Sequence, residues 1–183
     1  MEIEDLSGSL PSSRSLTTPV TVPGIRIEAV VPADLPEVLR MIQELAEYEK
    51  LSHLCVATEA DLARNLFASP ARIEVLLGKE NGHAICFALF FHNFSTFLGK
   101  PGLYLEDLFV RPEFRRRGYG RAMLVHLAQL AVERECGRFE WSVLDWNEPA
   151  INFYEALGAK VLPEWRIARV TGASLVTLAG HGA

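Results

Sequence analysis

The sequence predicts a mixed α/β fold, a central sheet that is antiparallel in its N-terminal half, then crosses over once in parallel, with helices flanking it. Three observations carry this. Apolar residues recur at helical spacing from Asp34 onward; two β-rich runs flank an Asn81-Gly82 turn; and a strand-like run, Leu103 to Val110, leads through an arginine-rich turn into a long amphipathic stretch. With 183 residues, 49% of them hydrophobic, the chain can bury one sizeable core, and a single domain is the simplest organisation.

Residues 1–23 hold few large apolar side chains and read as a flexible extension before a domain over 24–183. Ile25 to Ala29 is the first strand. Leu35, Val38, Leu39, Ile42, Leu45 and Ala46 then line one face of a helix. Thr58, with Asp61 three residues on, marks a capping-box start for a shorter helix with Leu62, Leu66 and Phe67 on its apolar face and Pro70 beyond its end. Ile73 to Leu77 and Ala84 to Phe91 form a hairpin about Lys79-Glu80-Asn81-Gly82.

Leu103 to Val110 is the next strand, after a break at Gly99, Pro101 and Gly102. Met123, Leu124, Leu127, Leu130 and Ala131 give the long helix, expected to close at Gly137. Phe139 to Leu144 is a strand, and Asn147 to Leu157 a helix capped by Asn147, with Pro149 in its first turn and Gly158 as its stop. Val161 through Trp165 to Leu178 reads as closing strands with a Gly172 turn. The expected succession is β-α-α-β-β-β-α-β-α-β, without internal repeats.

A formal net charge of -5 argues against a nucleic-acid binder and leaves room for a cationic small substrate. Cys55, Cys86 and Cys136 are odd in number and widely spaced, unlike a disulfide framework, and neither they nor His53, His83, His92 and His126 show metal-ligand spacing. No metal is expected. The start, with Glu2, Glu4 and Asp5, lacks a signal peptide's basic and apolar regions, and no apolar run has membrane-spanning length, so a soluble cytoplasmic protein is expected.

The segment from Leu103 to Met123 carries the chemistry. A strand feeding a helix through a glycine-bearing turn presents free backbone N–H groups and a positive dipole end, a seat for a diphosphate. A P-loop would need Gly-Lys-Ser/Thr, and Gly120-Arg121-Ala122 has no hydroxyl for magnesium. A dinucleotide fingerprint would need a third glycine where Met123 stands. What remains is R-x-x-G-x-G, made by Arg115, Gly118 and Gly120 after Val110-Arg111-Pro112.

This motif resembles the acetyl-coenzyme A signature of the Gcn5-related N-acetyltransferase (GNAT) superfamily. A second block, Asn147-Glu148-Pro149-Ala150-Ile151-Asn152-Phe153-Tyr154 with Leu157-Gly158-Ala159, resembles that superfamily's N-x-x-A-x-x-F-Y-x-x-x-G-A element. With Tyr104-Leu105-Glu106-Asp107 and Leu45-Ala46-Glu47-Tyr48-Glu49, the chain is similar to the spermidine/spermine, or diamine, acetyltransferase branch from about Ile25 to about Leu178.

The resemblance implies a GNAT-type sheet and acetyl-CoA as cofactor. Its pantetheine would pair with the backbone of Leu108, Phe109 and Val110; its diphosphate would meet Arg115, Arg116, Arg117, Gly118, Tyr119, Gly120 and Arg121; Asn147, Pro149, Ala150 and Phe153 would complete the cofactor contacts. Glu106 would bind the substrate amine and help deprotonate it through water, and Tyr154 would protonate the departing thiolate. Tyr48, Glu49, Asp107 and Glu164 join Glu106 as substrate contacts, although the segment from Gly158 to Trp165 is shorter than the family pattern.

Glu106 and Asp107 are adjacent, so strand alternation sends them to opposite faces unless a bulge intervenes. His126 reads as a helix-surface residue, and Cys136 as too remote for an acyl-enzyme, which favours direct transfer in a ternary complex. The expected partners are a small amine substrate and, by resemblance, a second copy in a homodimer. A protein or peptide lysine acetyltransferase and a non-catalytic acyl-CoA-binding module are the alternatives.

Overall fold

Helical periodicity, turn glycines and β-branched runs are realised as ten elements in a computed structural model that describes residues 24–180; the extension expected over 1–23 lies outside them. They are β1 (Ile25–Ala29), α1 (Leu35–Tyr48), α2 (Glu59–Leu66), β2 (Glu74–Glu80), β3 (His83–Ser95), β4 (Lys100–Val110), α3 (Tyr119–Glu133), β5 (Arg138–Trp141), α4 (Glu148–Glu155) and α5 (Gly172–Gly180). The chain divides into two compact units between Ser142 and Val143.

In the first unit the five strands form one sheet in sequence order, antiparallel from β1 to β4, with β5 parallel to β4. The β2–β3 turn is built on Asn81 and Gly82, both at positive φ (51° and 82°), the conformation an Asn-Gly hairpin requires. Gly78 is needed for close approach: a Cβ there would lie 2.4 Å from Cys86 Sγ and 2.8 Å from Ile25 Cδ1.

On one face, Leu35, Val38, Met41 and Leu45 of α1 and Leu62 and Leu66 of α2 are buried against Val75, Leu77, Phe87, Leu89 and Phe109. Helix α3 packs on β3, β4 and β5 with Met123 and Leu127 fully buried. The strand pairing has one irregularity of consequence. Leu89 pairs with Asp107 and Phe90 with Leu105, so Glu106 is an inserted residue, a β-bulge. The bulge resets the alternation: Phe109 joins the α1 and α2 core, whereas Leu103 and Leu105 are buried outside it.

Four sequence expectations are corrected. Helix α3 ends before Gly137: Glu135 takes the left-handed turn (φ 56°), Glu135 N–H donates to the Val132 carbonyl and Cys136 N–H to the Ala131 carbonyl, a Schellman closure. Strand β5 stops at Trp141 rather than reaching Leu144. Asn147 stands at the start of α4, but its side chain makes no cap hydrogen bond; its backbone carbonyl accepts from Ala150 and Ile151. The closing strands expected from Val161 to Leu178 are not strands: 161–171 is irregular and α5 follows. Pro163 has no N–H for a ladder, the alternation of Trp165 and Ile167 breaks at Arg169, and the Ala- and Leu-bearing run after Gly172 favours helix.

Candidate active site

The backbone edge of β4 sets the site. Its pairing with β5 runs only from Gly102 to Leu105, so from Glu106 to Val110 β4 has no strand on that side among the described residues. This is the stretch of Leu108, Phe109 and Val110 assigned to pantetheine, and an extended amide chain can add there as a strand would. Phe109 points its side chain into the core at 3% exposure, leaving only its backbone for such pairing.

Beyond Val110 the chain makes a tight turn over Pro112–Phe114 and enters α3. Arg116 and Gly118 lie at positive φ (62° and 87°), and Gly118, the residue at the helix start, has no side chain to cap it. The first N–H groups of α3 are therefore left for an anion, beside the exposed Arg116, Arg117 and Arg121. This cradle fits a diphosphate. Tyr119, expected at the cofactor, turns its ring inward at 4% exposure and donates its hydroxyl hydrogen bond to Glu80, which also lies 4.0 Å from Arg117.

Arg115 differs from the other arginines. It is half-buried, its Nε donates to the Val110 carbonyl at 2.9 Å, and its guanidinium carbon lies 4.4 Å from the centre of the Tyr48 ring and 5.7 Å from that of Phe109.

The bulge brings three acidic side chains into electrostatic range. Burial, with the charges of Glu106 and Glu49 added, pushes the Asp107 carboxyl up to about 7. Burial likewise raises Glu49, which closes α1 next to Tyr48. Glu106 itself is exposed. A carboxyl poised near neutrality beside two further carboxylates is equipped to hold a cation and accept a proton.

Residues Asn147, Pro149, Ala150, Phe153 and Tyr154 lie in the second unit, on and just before α4. The Tyr154 ring is half-buried, 5.4 Å from that of Phe153, and Gly158 (φ 93°) turns the chain after the helix. Glu164 is exposed in the irregular segment. Burial lowers the pKa of His126 on α3 and raises that of the Cys136 thiol in the turn after it, the reverse of what an acyl-enzyme nucleophile needs.

Sequence reasoning missed Arg111 and Glu80. Arg111 links β4 to Glu44 and Glu37 of α1, and Glu80 ties down the start of α3. Their partners are far away in sequence, so no local pattern marks them. Among the described residues, no group of three or more His, Cys, Asp or Glu side chains could hold a metal ion, and no helix is long and apolar enough to cross a membrane.

A sheet with an open β4 edge leading into an arginine-bordered helix start defines an acyl-CoA-dependent transferase. Comparison with known proteins agrees. The chain belongs to the acetyltransferase (GNAT) family, which matches residues 39–159, and it is an acetyltransferase using acetyl-CoA as acyl donor. It is 36% identical to an L-ornithine N5-acetyltransferase of Arabidopsis thaliana, over 82% of this chain and 86% of that one. It is 34% identical to the thialysine N-epsilon-acetyltransferase of Mus musculus, over 85% and 98%. Among solved structures it resembles an integron cassette protein from the mobile metagenome of V. cholerae, with a TM-score of 0.71, 27% identity, and 85% and 98% coverage.

Proposed function

We propose that this enzyme transfers the acetyl group of acetyl-CoA to a primary amine of a small polycationic or lysine-like substrate, a diamine, polyamine or thialysine, directly in a ternary complex. The observation that carries this reading is the pair Glu106 and Asp107 on the open edge of β4, with Glu49 at the end of α1 within electrostatic range of Asp107. The family match spans the division between the two units, which supports reading 24–183 as one N-acetyltransferase domain. A homodimer in the cytoplasm completes the proposal.

Acetyl-CoA supplies the acetyl group as a thioester. Leu108, Phe109 and Val110 hold its pantetheine through the backbone; the α3 start with Gly118, Gly120 and the exposed arginines holds its diphosphate; Asn147, Pro149, Ala150 and Phe153 flank it. An alkyl ammonium is only about 0.1% neutral near pH 7, so the chain must take a proton before the nitrogen can attack. Glu106 and Glu49 hold the cation, Tyr48 walls it, and Glu106 removes its proton through water with Asp107 beside it. The new bond is C–N and the broken one C–S; Tyr154 gives its proton to the leaving thiolate and is restored by the second proton, which the nitrogen loses once the C–N bond has formed. Glu164 meets the distal amine.

The test is thiol release measured with spermidine, thialysine and a lysine peptide, for the wild type, Glu106→Gln and Tyr154→Phe. Small amines turn over in preference to the peptide, and each substitution lowers kcat by about a hundredfold. Full activity in both variants overturns the mechanism, and peptide preference overturns the substrate class.

A further inference from the structure

Within the cofactor turn, the arginine that opens the R-x-x-G-x-G run is the half-buried one, its guanidinium turned onto the end of α1. Arg116, Arg117 and Arg121 are exposed, whereas Arg115 is half-buried, with Nε on the Val110 carbonyl (2.9 Å) and its guanidinium over the rings of Tyr48 (4.4 Å) and Phe109 (5.7 Å). Tyr48 is the last residue of α1, 38% exposed, and it immediately precedes Glu49 and then Lys50, whose φ of 62° turns the chain away. An exposed ring at a helix end keeps rotamer freedom unless something stacks on it, and a planar guanidinium tied to the backbone of β4 does so. The same stretch of β4 carries Asp107.

We propose that Arg115 is a positioning residue for the acceptor end of the site: it holds Tyr48, and through it Glu49, toward the end of β4, and leaves the diphosphate to the α3 N–H groups and the exposed arginines. This rests on the reading that Tyr48, Glu49 and Asp107 receive the amine. It assigns to one arginine of the cofactor turn a role in amine recognition.

The measurement is the KM for amine and for acetyl-CoA by thiol release, with the Kd of CoA by calorimetry, for the wild type, Arg115→Lys, Tyr48→Leu and the double variant. Lysine keeps the charge but loses the planar stack and the Nε bond. Arg115→Lys raises amine KM about fivefold while CoA Kd stays within about twofold; Tyr48→Leu does the same; the double variant is no worse than the worse single one. A CoA Kd raised fivefold or more with amine KM unchanged would make Arg115 a diphosphate clamp and overturn the proposal, as would additive losses. Should Arg115→Lys not fold, Tyr48→Phe decides: retaining the ring recovers most of the amine KM lost in Tyr48→Leu, and equal losses overturn it. Wild-type protein releasing thiol with no amine present would sink the underlying reading and the Arg115 role together.

Discussion

Arg111 grips Glu44 through two parallel hydrogen bonds, Nε to Oε2 and Nη2 to Oε1, each 2.9 Å long. The guanidinium also donates from Nη1 to the Ala84 carbonyl and lies 2.9 Å from Glu37. One side chain just past β4 therefore fixes α1, whose far end carries Tyr48, against the sheet.

Breaking that grip is costly because both partners are largely shielded from water. Arg111→Met leaves Glu44 without its cation and Glu37 with Arg40 alone, and lowers stability by about 2 kcal/mol; Glu44→Gln costs less, since the amide still accepts one hydrogen bond. Urea denaturation of the two variants and of the double variant checks this. The double loss is smaller than the sum of the singles, and an additive result would show that the pair does not act as a unit.

The pH response follows from Asp107. Burial raises its folded-state pKa to about 7, above the unfolded value near ~3.9, so the carboxyl contributes stability below about pH 4 and loses it as pH rises through about 7. Asp107→Asn removes the buried charge: the variant is more stable than the wild type at pH 9, on the order of 4 kcal/mol, and the difference vanishes by roughly pH 3. In wild type, kcat/KM for the amine rises with pH through a limb centred near 7, which Asp107→Asn abolishes. An unchanged limb in the variant assigns the titration to another group.

Local signals in the sequence found their targets and long-range ones did not. Thr58 and Asp61 were legible because a capping box closes over three residues: Asp61 N–H reaches Thr58 Oγ1 at 3.2 Å and Thr58 N–H reaches Asp61 Oδ2 at 3.1 Å. The Asn81-Gly82 hairpin and the glycine turn before α3 were legible for the same reason. The bulge at Glu106 depends on the register of β3, and Arg111 finds Glu44 67 positions away, so neither leaves a local trace. The segment after Val161 misled because an alternating run forms a strand only where a neighbour completes its ladder.

Glu80 provides the remaining test of how the cofactor turn is held. Its carboxylate accepts the Tyr119 hydroxyl, an interaction that raises the tyrosine pKa, and it stands 4.0 Å from Arg117. Tyr119 is the first residue of α3, so this bond sets the direction of the N–H groups that face the diphosphate. Glu80→Gln keeps the acceptor but removes its charge, costing about 1.5 kcal/mol of stability and leaving a looser turn that must be ordered when cofactor binds. The Kd of CoA by calorimetry therefore rises several-fold while amine KM stays unchanged, the opposite split from Arg115→Lys. Tyr119→Phe gives the same direction with a smaller effect, because Arg117 still faces Glu80; a shift in amine KM alone would instead place Glu80 with the acceptor.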